Sequence, residues 1–232
     1  MEIATGISDD YVYRMTISKP YTKARERLKA GQVLILDGGV STELERRGIP
    51  MFDELWSGRV ALDREEAIID VHRTYIDASA DLLLLEMMSI PARMTAMFDA
   101  LRDIQLPVWC GLSAVRDAQN TIRSWHETTT AFSEIVELAA QQGFDALGIM
   151  HTSAELIDDA LPVIRNRYQG PMMAYPDSGY LEMPHWRFVD TITPQRFAEF
   201  AHEWRRAGAQ IIGGCCGLGP EHIGAIADMK SR

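Results

Sequence analysis

Two adjacent cysteines close an apolar run near the C-terminus, IIGGCCGLGPEHI from Ile211 to Ile223, with glycines on both sides. Thiolates and imidazoles suit zinc, and a catalytic zinc site keeps three protein ligands and one open position. Side chains on a regular strand alternate between its faces, so Cys215 and Cys216 reach one centre only where the pleat breaks. Gly213, Gly214 and Gly217 give the backbone that freedom. His151, at the end of ALGIMH two strands earlier, is the candidate third ligand. The competing reading is a pair of small buried residues. A disulfide between adjacent cysteines is strained, and Cys110 lies mid-strand in VWCGLS, where it reads as core packing.

Other polar groups stand at the ends of apolar runs. Asp37-Gly38-Gly39 either turns the chain or lets a ligand approach the backbone while Asp37 accepts from an amine. Glu86 ends ADLLLLE, where a lone carboxylate is costly, so it needs a partner: Arg93 or the ammonium group of a substrate. Asp177-Ser178-Gly179 binds a carboxylate through Ser178 and backbone donors, or caps a turn. Gly217 leads through Leu-Gly-Pro-Glu into a helix start that favours an anion. His72, His126, His185, His202 and His222 fit no ligand pattern and read as surface or packing residues.

These groups must be positioned by alternating strands and helices. Near-continuous apolar runs at Val33 to Gly39, Ala80 to Glu86, Val108 to Ser113, Ala146 to His151, Met172 to Pro176 and Ile211 to Cys216 predict parallel strands covered by helices. Helical spacing predicts helices over Arg64 to Ala78, Pro91 to Leu101, Thr128 to Gln142, Ala154 to Tyr168 and Pro220 to Met229. Thr193-Pro194 signals one more helix start, with Phe197, Phe200, Ala201 and Trp204 on one face and a stop near Gly208. Both an open doubly wound sheet and a barrel fit this alternation, and both place ligands beyond the carboxyl ends of the strands.

The 232 residues suit one substantial core, expected over residues 31–232, after an N-terminal extension of residues 1–30 in which Tyr11 to Ile17 is a candidate edge or plugging strand. A net charge of −10 with no basic cluster argues against nucleic acid as a partner. The longest apolar run is far short of a bilayer span, so no membrane partner is expected. Three cysteines make no disulfide scaffold, which points to a reducing, cytoplasmic setting.

VLILDGGVSTELERRG, LWS, HRTYIDASADLLLLE, YPDSG and IIGGCCGLGPEHI, in that order, resemble the cobalamin-independent homocysteine S-methyltransferase family. The resemblance implies a TIM-barrel-like (β/α)8 fold that uses zinc and moves a methyl group from a donor to homocysteine. It places Cys215 and Cys216 at two family zinc ligands, and His151 where the third, a cysteine, is expected. It places Asp37, with Gly38 and Gly39, and Glu86 around the amino-acid substrate. Against the family pattern, about two βα units are missing between the DGG strand and the strand ending in Glu86. The open wall this leaves favours a homo-oligomer.

Three readings of function follow. The first is zinc-dependent methyl transfer to a small thiol, with His151, Cys215 and Cys216 as metal ligands and catalytic centre. The second keeps the metal for hydrolysis or another reaction. The third is a noncatalytic small-ligand-binding protein on the same scaffold.

Overall fold

The computed structural model describes residues 64–77, 81–102, 104–182 and 187–231, with positions 22, 23, 26, 44 and 47–49 before them. The Val33 to Gly39 run and the Tyr11 to Ile17 segment lie outside the described residues, and so do Asp37, Gly38 and Gly39. In chain order the described elements begin with α1 (Glu65–Asp77), β1 (Leu83–Met88), α2 (Pro91–Ala100), β2 (Val108–Leu112), β3 (Ala114–Arg116) and β4 (Ile122–Ser124). There follow α3 (Phe132–Ala140), β5 (Ala146–Ser153), α4 (Ala154–Arg165), β6 (Met172–Asp177), β7 (Tyr180–Glu182) and β8 (Arg187–Val189). The chain ends in α5 (Pro194–Arg206), β9 (Ala209–Ile212), α6 (Pro220–Ala225) and a 3-10 turn, Ala227–Ser231.

Five strands form one sheet in the order β1-β2-β5-β6-β9, and every neighbouring pair is parallel. Each strand lies beside the next one of the sheet in chain order, with no reversal of direction across it. That progression belongs to a barrel wall, whereas a doubly wound sheet reverses at a switch point. The described fold is therefore a partial (β/α)8-like arrangement, with α2, α3, α4 and α5 each joining one strand to the next.

Burial explains the near-continuous apolar strands. Ala146, Leu147, Ile149 and Met150 of β5 are all buried, as are Leu83 and Leu85 of β1 and Val108, Cys110 and Leu112 of β2. A strand covered on both faces has no polar alternation to display. The helices present one apolar face each: Phe197, Phe200, Ala201 and Trp204 of α5 are buried, as their spacing predicts. Thr193 caps this helix by accepting from the Arg196 N–H at 3.2 Å, and Gly208 follows its end at φ +99°. Helix α3 is shorter than the predicted Thr128 to Gln142. Residues 128–130 sit in a turn, and Glu134 reaches back to the Ala131 N–H at 3.2 Å, which starts the helix there.

Two antiparallel hairpins, β3–β4 and β7–β8, rise from the carboxyl ends of β2 and β6. The first turns through Asp117, whose carboxylate accepts from the N–H groups of Gln119 and Thr121 and pairs with Arg123 Nε at 2.8 Å. These hairpins lengthen the very loops that build sites on barrel folds.

Candidate metal centre

Two bulges shape the carboxyl end of the sheet. Between β5 and β6 the pairing runs regularly to Met150 opposite Tyr175, then resumes at Ser153 opposite Asp177, so β5 carries one extra residue. His151 sits in that bulge at φ 44°, a left-handed conformation rare for a side chain of its size. Between β1 and β2 the pairing skips in the same way from Leu85 to Met88, and Met87 adopts φ 54°. Glu86 belongs to this second bulge and is exposed, which relieves the desolvation cost expected at the end of so apolar a strand.

The ladder bonds lost at the β5 bulge are replaced by side chains. The Met150 carbonyl accepts from the hydroxyls of Ser113 and Thr152, each at 2.9 Å, and Thr152 Oγ1 accepts from the Ala114 N–H at 2.9 Å. All three partners are fully buried. The bulge is thus over-determined by its surroundings, a condition for holding a strained backbone in place.

The cysteines arrive from the other side. Beyond β9 the chain stays alongside β6: Gly213 N–H donates to the Ala174 carbonyl at 3.1 Å and Cys215 N–H to the Pro176 carbonyl at 2.7 Å. It then turns at Gly217, φ +75°, where a Cβ would stand 2.0 Å from the Ser178 carbonyl oxygen. The regular strand has ended at Ile212, before the cysteines, and their sulfurs stand 3.7 Å apart. Cys215 Sγ lies 3.8 Å from His151 Nδ1, and the donor atoms of His151, Cys215 and Cys216 all fall within 4.8 Å of one another. Bonds of about 2.0 Å to nitrogen and about 2.3 Å to sulfur in a tetrahedron put ligand atoms roughly 3.5–3.8 Å apart. The donor set and its spacing therefore fit a zinc-sized ion.

The electrostatics of the cluster match. The Cys216 thiol is held far below the usual thiol range, first by a hydrogen bond from Cys215 and then by one from His151, while the Cys215 thiol is driven up by that same bond and by burial. The hydrogen bond between the two sulfurs thus pushes the two thiols in opposite directions. Burial pulls the His151 imidazole down, but the hydrogen bond to Cys216 and the charges of Asp177, Cys216 and Glu86 outweigh it, and the net shift is upward. Asp177 Oδ2 stands 3.7 Å from His151 Nδ1, with both side chains about four-fifths buried. Burial raises its carboxyl, His151 opposes this and the Cys216 charge adds to it.

Aromatic rings wall the cluster. Trp125, delivered by the end of the β3–β4 hairpin, meets the His151 ring edge-on at a centroid distance of 5.3 Å. The Tyr175 ring packs against Gly213, where a Cβ would come within 2.5 Å of it. Its hydroxyl is raised by burial and then by the charges of Cys215, Glu86 and Cys216.

The chain matches the family model described as Homocysteine S-methyltransferase over residues 34–84 and 76–230. It belongs to the homocysteine S-methyltransferase family. The family model is met in two stretches that overlap at residues 76–84, the segment where the sequence predicts missing units. Homocysteine S-methyltransferase 1 of Brassica oleracea var. italica is 29% identical over 184 residues, covering 75% of this chain and 54% of that protein. Selenocysteine methyltransferase of Astragalus bisulcatus is 25% identical over 177 residues, covering 72% and 51%. The chain spans about half the length of these curated relatives. Among solved structures, the apo form of the homocysteine methyltransferase MmuM from Escherichia coli superposes with a TM-score of 0.58 at 22% identity, covering 97% of this chain and 76% of that one. Its oxidized form gives 0.52 at 20% identity, covering 86% and 96%. At such identities the superpositions speak for the fold.

Within this member of the homocysteine S-methyltransferase family, the structure brings His151, Cys215, Cys216 and Asp177 together, with Glu86 close enough for its charge to act on His151 and Cys215. Ser178 is engaged within the scaffold: its hydroxyl accepts from the Ile192 N–H at 2.8 Å and its own N–H donates to the Cys216 carbonyl at 3.0 Å. Gly217 serves the turn. His222 packs as expected, with Nδ1 accepting from the Gly219 N–H at 3.0 Å and Nε2 paired with the Ile192 carbonyl at 2.8 Å. His126 bonds Ser89 Oγ at 2.7 Å, and burial, followed by the charges of Arg93 and His151, lowers it toward the neutral form. Trp125 was missed because a lone aromatic in a loop carries no spacing signal, and Tyr175, though it opens the YPDSG motif, was not singled out. No described helix is long and apolar enough to cross a membrane.

Proposed function

We propose that the chain is a zinc-dependent methyltransferase whose acceptor is a small thiol, with homocysteine, the acceptor in the names of its relatives, as the first candidate. The observation that carries this reading is the spacing of two sulfurs and one imidazole nitrogen around one point, together with membership of the family. His151, Cys215 and Cys216 would hold the ion. When bound, zinc supplies a Lewis acid that keeps a substrate thiol deprotonated near neutral pH.

The chain's own residues then bind and orient. Glu86, exposed on its bulge, receives the ammonium end of an amino-acid substrate, with Asp37 as its expected companion. Trp125 and Tyr175 narrow the space beside the cluster and exclude water, which strengthens every charge interaction there. Glu86, Asp177 and the cysteines gather acidic groups around the site, which favours a cationic methyl donor such as a sulfonium or quaternary ammonium compound. The acceptor sulfur forms a bond to the methyl carbon as the donor's bond to that carbon breaks, and the donor leaves neutralised by one charge.

Incubation of the zinc-loaded protein with homocysteine and S-methylmethionine, read as methionine by mass spectrometry, tests the reading. Turnover that is lost in His151→Ala and Cys215→Ser supports it. Full transfer in His151→Ala rejects the ligand assignment, and no methylated product across a panel of thiols and cationic donors rejects the reaction.

A further inference from the structure

We infer that Arg93, with His126 beside it, forms an anion subsite at the start of α2 that takes the α-carboxylate of an amino-acid substrate. The inference rests on the amino-acid substrate proposed above, whose ammonium end goes to Glu86, and assigns a receptor to the opposite charge of that molecule.

Arg93 is a cation held at a cost. It stands in the first turn of α2, where a helical side chain leans back toward the helix start and so toward the carboxyl end of β1. Its Nε is buried and has no hydrogen-bond partner among the described residues. Burial alone acts on the guanidinium and lowers it, and no carboxylate, Glu86 included, offsets that cost. A desolvated guanidinium calls for a paired anion. The helix start adds to the need: α2 has no acidic residue in its first turn and no capping side chain at Ile90, so the positive end of its dipole meets a second positive charge.

The β3–β4 hairpin sets this cation beside the cysteine cluster. Trp125 N–H donates to the Ser113 carbonyl at 3.1 Å and the Ser124 hydroxyl to the Ser89 carbonyl, so the end of the hairpin is fastened to the ends of β2 and β1. From there Trp125 meets the His151 ring at 5.3 Å, while its neighbour His126 holds the Ser89 hydroxyl through Nδ1 at 2.7 Å, just before α2 begins. Nε2 is the ring nitrogen left to meet a ligand. Arg93 is near enough for its charge to act on that ring. The segment Trp125–His126 thus joins the cysteine cluster, where a substrate thiol belongs, to the guanidinium, where its carboxylate belongs. Ser178, the receptor expected from the sequence, is already engaged with the Ile192 N–H.

The test is titration calorimetry of the full chain, in zinc-containing buffer, with two ligand pairs that differ only in the carboxylate: homocysteine against homocysteamine, and S-methylmethionine against its decarboxylated sulfonium. Arg93→Gln is expected to weaken the carboxylated member about 10- to 100-fold and its partner by less than about threefold. A loss in the first pair assigns the subsite to the methyl acceptor, and a loss in the second to the donor. Arg93→Met, which removes the unpaired buried cation, is expected to raise the melting temperature of the ligand-free protein, whereas loss of a purely structural arginine lowers it. A lower melting temperature, equal losses within each pair, or no loss in either overturns the subsite. Carboxylate discrimination without methyl transfer rejects the reaction proposed above and leaves the subsite standing, and transfer without discrimination does the reverse. Failure of the unchanged protein to bind any of the four ligands overturns both.

Discussion

The N–H of Met87 donates to Sδ of Met150 at 3.4 Å, and each of these methionines is the immediate chain neighbour of a site residue, Glu86 and His151. The contact links the two bulges that turn those side chains toward one end of the sheet. Met150 is 1% exposed and fills the space over Gly111, where a Cβ would come within 2.4 Å of its sulfur. Met150→Ala should therefore cost about 2–5 kcal/mol of stability. Chemical denaturation should show the loss, with zinc affinity falling beyond what the unfolded fraction explains.

Gly217 should tolerate no side chain. Its φ of +75° and the Ser178 carbonyl at 2.0 Å from a built Cβ leave the backbone two ways to fail. Gly217→Ala is expected to lose about 1–3 kcal/mol or more, and to separate the two sulfurs. Thermal melts and zinc stoichiometry check the two effects separately. Gly224 is the control, since a Cβ there meets nothing within 4 Å.

In the metal-free protein the cysteine pair should react with iodoacetamide at a pH where an ordinary thiol is protonated. The bonds from Cys215 and His151 favour the Cys216 thiolate, so the folded protein keeps it as pH falls well below the usual thiol range. Labelling at pH 6 should map to Cys216, slow in His151→Ala, and spare Cys110, which is buried and whose thiol burial pushes up. Peptide mapping after timed labelling gives the rates.

Asp158 on α4 faces Glu203 on α5, and burial, the charge and hydrogen bond of Glu203, and the charge of Asp159 raise its carboxyl to about 6, with Arg196 opposing. A carboxyl whose folded value lies above its unfolded one binds more protons when folded. Stability from this group thus falls as pH rises from about 4 toward 6 and stays reduced above that. Asp158→Asn should raise the melting temperature at pH 7.5 and flatten its dependence between pH 4 and 6. The gain is expected to stay under about 1 kcal/mol, because solvent screens a partly exposed pair.

Much of this was legible in the sequence because burial and chain direction write simple patterns. The runs ALGIMH and MMAYP had to be strands covered on both faces, and the glycines around Cys215 and Cys216 had to interrupt a regular strand; both follow from local sterics. The cluster of His151, Cys215 and Cys216 was legible because thiols and an imidazole at strand ends draw attention as a possible shared site. What was hidden depends on pairing between strands. A bulge at His151 is a mismatch of register with β6, and no property of His151 alone announces it. The β3–β4 hairpin holds to few apolar residues, so its strands carried too little periodicity to be seen, and Trp125 went with them. Glu86 read as a strand end needing a partner, and the skip against β2 that exposes it is again a pairing event.

X-ray absorption at the zinc edge of the metal-loaded protein tests the metal centre most directly. The account predicts a four-coordinate ion with two protein sulfurs near about 2.3 Å and one imidazole nitrogen near about 2.0 Å, the sulfur shell halved in Cys216→Ser and the imidazole scattering lost in His151→Ala. A shell made of nitrogen and oxygen alone, or one unchanged by both substitutions, would contradict it.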